Sequence, residues 1–406
     1  MLNARVLSAE GGTPVRERLD ELVPAHALAD ALAAADGAAL ALAAEGPAAT
    51  VLASALAASG AFAHVAKGNL IVTGTRNAIA EATARVDGEA RALGEELVRA
   101  FDADRNPPQH LRLRDRTLDL AQGAKVMGIL NVTPDSFYDR GAYSGVDRAR
   151  ARAAEMVEAG AALVDIGGQS YAHWNPRIAA EEERARVVPV VEALVRDGLG
   201  VPLSIDTFKA DVAEAGLAAG AHLINDCSGL SDERLAGVVA RYDAGLVVMH
   251  LKGELNVRAA EYRYDDALGE ICGFLRERLD RARAAGVAAD SLVIDPGLEF
   301  GKEPATDLEI LERFGDLRSL GYPILFAASR KSFIGRVFEK PARELLVPSL
   351  ATAAIGISAG ARLVRVHDVA ETAALARMLA VVHRDNRRGA TFAAAMPREG
   401  LPAPAG

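Results

Sequence analysis

The chain has 406 residues, 50% of them hydrophobic and 25% charged, and a formal net charge of −9. That length exceeds one compact core of ordinary size and predicts a large domain with an appendage, while the acidic balance excludes a globally basic surface for nucleic acid and allows a local cationic pocket. The two cysteines, Cys227 and Cys272, have neither disulfide nor zinc spacing, no apolar signal core opens the chain, and no run reaches the ~18 apolar residues of a membrane span, so a cytoplasmic protein without a membrane partner is expected.

Residues 1–105 read as a small α/β domain of unknown role. Ala-rich helical stretches at 23–37 and 47–60 are followed by a strand pair in "FAHVAKGNLIVTGT" and a long helix over 76–101, with "DRNPPQ" as linker. "HLRLRDRTLDLAQGA" (110–124) alternates apolar and polar residues and predicts a hairpin that plugs the bottom of a barrel. Eight short apolar runs then come at 125–132, 162–168, 202–206, 222–228, 245–250, 291–297, 323–329 and 362–368, each leading into an amphipathic helical stretch. This is the pattern of a parallel sheet with crossover helices. Eight repeats and the lack of a GxGxxG turn favour a closed (β/α)8 TIM barrel over 109–387, rather than a doubly wound open sheet. The Pro/Gly/Ala-rich tail from 388 to 406 is expected to be disordered.

In such a barrel the chemistry sits at the C-terminal ends of the strands. Asp and Asn often end strands for turn geometry alone, so each polar strand end has an ordinary explanation. Their convergence on one rim is harder to explain that way. Strand one ends in Asn131, three in Asp206, four in Asn225 and Asp226, six in Asp295, seven in Ser329-Arg330-Lys331, and eight in Arg365 and His367. Asp295, Asn225 and Asp206 suit the amidine-like donor edge of a planar heterocycle, and Lys331 suits a ring carbonyl. Arg365 beside His367 suits a phosphate or pyrophosphate, and Asn131 offers an oxygen ligand to a Mg²⁺ carried by it.

The segments "MGILNVTPDSF", "VDIGG", "SIDT", "IND", "MH", "DPG" with "FGK", "SRKSFIG" and "RVHDV", in this order over 109 to about 385, resemble the dihydropteroate synthase family. The resemblance implies a transferase that joins 6-hydroxymethyl-7,8-dihydropterin pyrophosphate to 4-aminobenzoate in folate synthesis. In this family the carbon–oxygen bond breaks largely before the amine attacks. Asp206, Asn225, Asp295 and Lys331 would hold the pterin, while Asn131, Arg365 and His367 would bind Mg²⁺ and pyrophosphate. Asp139 and Phe137 would lie on a closing first loop, with Asp139, Lys331, Arg365 and His367 catalytic. Phe137, Ser170, Tyr171, Phe300 and Ser332 would border the arylamine. A homodimer through barrel helices, with 346–361 as one candidate, is implied.

After strand two the family usually has Glu-Ser-Thr-Arg-Pro-Gly. Here "QSYAHWN" (169–175) keeps only the Ser and replaces the Arg by Ala172. Three explanations stand open: Arg177, Arg140 or His173 replaces that cation; Tyr171 and Trp174 form a stacking wall for a different arylamine; or synthase activity is weak or absent. Reduced sulfonamide sensitivity is expected from the same change. A methyl-transfer module and a non-catalytic pterin-binding paralogue are the rival classes, and Lys331, Asn131, Arg365 and His367 speak against them.

Overall fold

A computed structural model of the chain describes residues 4–6, 38–44, 46–66, 68–133, 145–171, 175–255 and 262–388. The expected helix at 23–37, Phe137, Asp139, Arg140, His173, Trp174 and the tail beyond 388 lie outside the described residues.

Eight strands form one parallel sheet: β7 (Lys125–Asn131), β8 (Leu163–Gly167), β9 (Leu203–Asp206), β10 (Leu223–Asp226), β11 (Gly245–Met249), β12 (Leu292–Asp295), β13 (Leu325–Phe326) and β14 (Leu363–Val366). They pair in sequence order, β14 also pairs with β7, and a parallel bridge between Ile294 and Ile324 joins β12 to β13. The sheet therefore closes into the (β/α)8 barrel. The seventh strand is shorter than the run at 323–329 predicts. Pro323 has no N–H to start the ladder and contributes only its carbonyl, to Ile294 N at 3.0 Å.

Strand side chains alternate between two faces. Outward residues such as Val126, Leu130, Val164, Ile166, Ile205, Val248, Ile294 and Val366 are buried against the surrounding helices. Inward residues change character along the barrel. The lower layer is Met127, Leu163, Leu223, Val247, Val293, Leu325 and Leu363, packed on Leu111, Leu113 and Leu120. Those leucines belong to the hairpin β5 (His110–Leu113) and β6 (Arg116–Asp119) and to the residue just after it. The plug expected from the sequence is thus seen in contact with the strand starts.

N-terminal to the hairpin, β1 (Ala4–Val6), β2 (Ala38–Ala43), β3 (Phe62–Ala66) and β4 (Asn69–Gly74) make an antiparallel sheet in the order β1-β2-β4-β3. Three helices share its core: α1 (Pro47–Ala58), α2 (Arg76–Ala84) and α3 (Gly88–Arg105). The single long helix expected over 76–101 is in fact two. Gly88 adopts φ +57°, which turns the chain so that α3 folds back on α2. Gly94 makes the close approach possible, since a Cβ there would stand 2.3 Å from Thr83 Oγ1. The unit docks on the barrel through α3: Asp104 accepts from Arg318 Nε at 2.8 Å, and Glu96 pairs with Arg276 at 3.1 Å.

Candidate active site

One turn above the leucine layer the inward positions become Asp165, Ser204, Asn225, Met249 and Arg365, and the strand ends above them carry Asn131, Asp206 and Asp295. Asp165 is the centre of this layer. It is fully buried, and its Oδ1 accepts from Ser204 Oγ at 2.5 Å; its Oδ2 accepts from Asn225 Nδ2 at 3.1 Å and from Arg365 Nε at 2.6 Å. The same guanidinium reaches Asp206 Oδ2 with its Nη2, at 2.6 Å. Arg365 is thus forked between two carboxylates, an arrangement that offsets the cost of burying all three charges.

Sequence reading passes over Asp165, although its signal is present. A carboxylate in the middle of the apolar run "ALVDIGG" can be buried only if cations and donors meet it there.

Asp206 is 7% exposed, and its second oxygen, Oδ1, is buried without a hydrogen-bond partner among the described residues. Burial raises its pKa to about 7 against the pull of Arg365, and the nearby Asp165 and Glu183 raise it further. Asp295 is equally buried; Gly297 N donates to its Oδ1 at 2.6 Å. Burial raises its pKa as well, while Lys331, Lys302 and Arg365 draw it down. The Lys331 ammonium donates to Leu298 O at 2.6 Å and lies 4.9 Å from the centre of the Phe300 ring. Ser332 comes next, as the exposed first residue of the helix Ser332–Phe338.

At the rim, His367 Nδ1 lies 3.0 Å from Ser329 Oγ. Its imidazole opens to solvent, yet desolvation first, then Arg365, Arg330 and Lys331, hold its pKa at about 4. Asn131 ends β7 exposed; a Cβ on the facing Gly167 would stand 3.3 Å from its Oδ1, so the glycine keeps that oxygen uncovered. Asp226, by contrast, points away from the barrel interior. It holds the next loop, accepting from Ser228 N and Oγ and from Leu230 N.

The altered second loop is fastened on both sides of its undescribed tip. Tyr171 Oη donates to Asp206 O at 3.2 Å, and its ring lies 6.0 Å from that of Phe208. Tyr171 belongs to an apolar cluster with Cys227, Met249, Leu255 and Phe300 at the barrel mouth. Burial raises its pKa well above the ordinary phenol value, with Cys227 and Asp206 adding to the shift. Arg177 donates to Leu255 O at 2.7 Å and spans the Phe208 face at 6.0 Å. Beneath the loop, the Lys209 ammonium gathers Gln169 Oε1, Ile178 O and the buried Glu183 Oε2 at 2.6–2.7 Å.

A barrel mouth with a buried unpaired acceptor, a carboxylate pair and a cationic rim suits a flat hydrogen-bonding heterocycle that carries an anionic group. The chain matches the family described as "Pterin binding enzyme" over residues 127–367. Dihydropteroate synthase of Bacillus subtilis is 40% identical over 273 residues, which is 67% of this chain and 90% of that protein. Among solved structures, Xanthomonas albilineans dihydropteroate synthase with 4-aminobenzoic acid gives a TM-score of 0.63 at 38% identity, covering 69% of this chain and 98% of that one. The same enzyme in complex with 7,8-dihydropteroate gives 0.61 at 38% identity, with 68% and 98% covered. With a family match over more than half of the chain and a relative of this identity covered for 90% of its length, the chain belongs to the dihydropteroate synthase family of pterin binding enzymes.

Proposed function

We propose that the chain condenses 6-hydroxymethyl-7,8-dihydropterin pyrophosphate with 4-aminobenzoate to give 7,8-dihydropteroate and pyrophosphate. The buried Oδ1 of Asp206, without a partner among the described residues, carries the reading most directly, because it is an acceptor open to a donor on an incoming molecule. Family relatives bound to 4-aminobenzoic acid and to 7,8-dihydropteroate support it.

In this reading the amino-pyrimidine edge of the pterin bonds to Asp206, Asn225 and Asp295, and Lys331 turns from Leu298 O toward the ring carbonyl. The bond between the pterin methylene carbon and the pyrophosphate oxygen breaks. A bond from that carbon to the arylamine nitrogen forms, and the nitrogen gives up one proton. Arg365 and the neutral imidazole of His367 hold the departing pyrophosphate, His367 as a hydrogen-bond donor, and the positive field of the Arg365 guanidinium favours the charge that builds there in the transition state. Asp139, on the first loop, would balance the positive pterin carbon.

Magnesium fits this site as an ion brought in by the pyrophosphate. Asn131 Oδ1 is uncovered, and among the described residues no three His, Cys, Asp or Glu side chains form a metal cage. Bound at Asn131, it would neutralise the leaving group.

Phe137, Ser170, Tyr171, Phe300 and Ser332 would line the arylamine side. A sulfonamide competing for that place is expected to inhibit weakly, because Tyr171 narrows it; a family-typical inhibition constant would overturn this. We further propose a homodimer through the barrel helices, where Val337, Phe338, Val347, Ile355 and Met378 are exposed apolar residues, and residence in the cytoplasm. Both cysteines are free and no described helix is long and apolar enough to cross a membrane.

The deciding experiment is pyrophosphate release from the pterin pyrophosphate with Mg²⁺, with and without 4-aminobenzoate, with mass spectrometry of the product. Dihydropteroate formation is expected. Release without that product would assign a different acceptor, and pterin binding without release would remove the catalytic reading.

A further inference from the structure

His250 and Lys302, in the motifs Met249-His250 and Phe300-Gly301-Lys302, have no part in the condensation as described above. Lys302 is 7% exposed, and its ammonium donates to Gly297 O at 2.7 Å and Phe300 O at 3.0 Å. It also lies 2.9 Å from His250 Nδ1. Burial, then Lys302 and Lys252, holds the His250 pKa well below its ordinary value, so the neutral ring is able to accept from Lys302 at Nδ1. The direct partners of Lys302 are therefore two carbonyls and an imidazole; burial lowers its pKa to about 7, with Asp307 and Asp295 pulling the other way from farther off, so the group holds these partners as an amine as well as an ammonium.

The loop that Lys302 closes is threaded tightly over the end of β11. Gly297 and Gly301 adopt φ +66° and +65°. A Cβ on Gly297 would come 2.0 Å from His250 O, and one on Gly301 would come 1.9 Å from Lys252 O. Only glycine allows this approach. The loop in turn holds four groups of the site. Gly297 N meets Asp295, and Leu298 O receives the Lys331 ammonium at 2.6 Å. The Glu299 carboxylate accepts from Phe333 N at 2.9 Å, beside Ser332, and the Phe300 ring faces Lys331.

We propose that Lys302, with His250 as its partner, is a positioning residue: an internal amine staple that fixes the loop from Asp295 to Phe300 and, through it, the pose of Lys331. Its consequence for turnover rests on the pterin-condensing reading; its consequence for the loop does not. A Lys at this place gives two N–H donors as an amine and three as an ammonium, on a stem long enough to pass beneath the loop, which an apolar side chain of the same length lacks.

The test uses the full chain with Lys302→Met, which keeps the volume and removes the donors, and Lys302→Ala, which leaves room for an added amine. Hydrogen exchange of peptides covering 297–302 and 333 is expected to quicken at least tenfold in both. The KM for the pterin pyrophosphate should rise at least tenfold in Lys302→Met. In Lys302→Ala, propylammonium should restore slow exchange and low KM, while 1-propanol should not. Wild-type exchange in Lys302→Met, or equal rescue by propanol, would overturn the staple. If Lys302→Met does not fold, His250→Phe keeps the edge contact with Phe274 and removes the acceptor; unchanged exchange in that variant would overturn it equally. An inactive wild type whose exchange still responds as expected would fail the functional reading alone.

Discussion

The two ends of the same eight strands obey opposite rules. At the bottom, Met127, Leu163, Leu223, Val247, Val293, Leu325 and Leu363 close on the hairpin leucines in one apolar cluster. At the mouth, the next inward positions place Asp165, Asp206, Asp295 and Arg365 in the interior with little solvent. A buried apolar layer lowers the free energy of the fold, whereas buried charges at best offset their own desolvation. The barrel thus separates stability from chemistry along its axis.

Substitutions at the two ends should divide accordingly. The largest effect is expected from Asp295→Asn: kcat/KM should fall by about 10²–10³-fold, the scale of losing one charge-stabilising contact, with little change in melting temperature because a neutral amide relieves a burial cost. Steady-state kinetics and thermal unfolding on one preparation check both halves; a large loss of stability would blur the division. The mirror case is Leu113→Ala, fully buried in the plug. It should cost about 2–5 kcal/mol of stability while kcat/KM well below the melting temperature stays within about twofold.

A titration sharpens the contrast further. Asp206 has its pKa raised to about 7 in the fold, so its ionised form, the better acceptor, is complete only above that pH. Pterin affinity is expected to weaken by up to about tenfold per pH unit below it, measured by calorimetry, and Asp206→Asn should flatten the profile. The linked stability runs the other way. Between the ordinary carboxylate range and pH 7 the folded state holds a proton that the unfolded chain has lost, so this group makes the unliganded fold less stable as pH rises through that window. The smallest effect belongs to the docking of the N-terminal unit. Asp104→Ala, which breaks the pair with Arg318, should cost about 1 kcal/mol and leave kcat unchanged, as measured by denaturant unfolding.

Most of the barrel is legible in the sequence because its signal is local. β-branched runs, period-two alternation and helical spacing mark each strand and helix, and polar residues at strand ends mark the rim. The hairpin is legible for the same reason. The break at Gly88 is not, since one glycine in a helical stretch often passes without a turn, and only the packing of Gly94 on Thr83 decides it. Asp165 and Lys302 are hidden differently. Their partners stand on other strands and loops: Arg365 is 200 residues from Asp165, and His250 is 52 from Lys302. Distances of that kind exist only in the folded molecule. Arg177 illustrates the limit from the other side: the sequence offers it as a replacement for the missing loop cation, and the structure engages it with Leu255 O and Phe208.

The seam between β12 and β13 is closed by a single bridge and a two-residue strand. Just above it, Lys331 on Leu298 O and Glu299 on Phe333 N tie the same two barrel sectors together. Part of what keeps the cylinder shut is therefore made by the loops that face small molecules. A compound that seats between those loops would add a clamp where the ladder is weakest. Its binding should register as a rise in melting temperature, which makes simple thermal-shift screening a sensitive route to ligands of this protein even before its turnover is assayed.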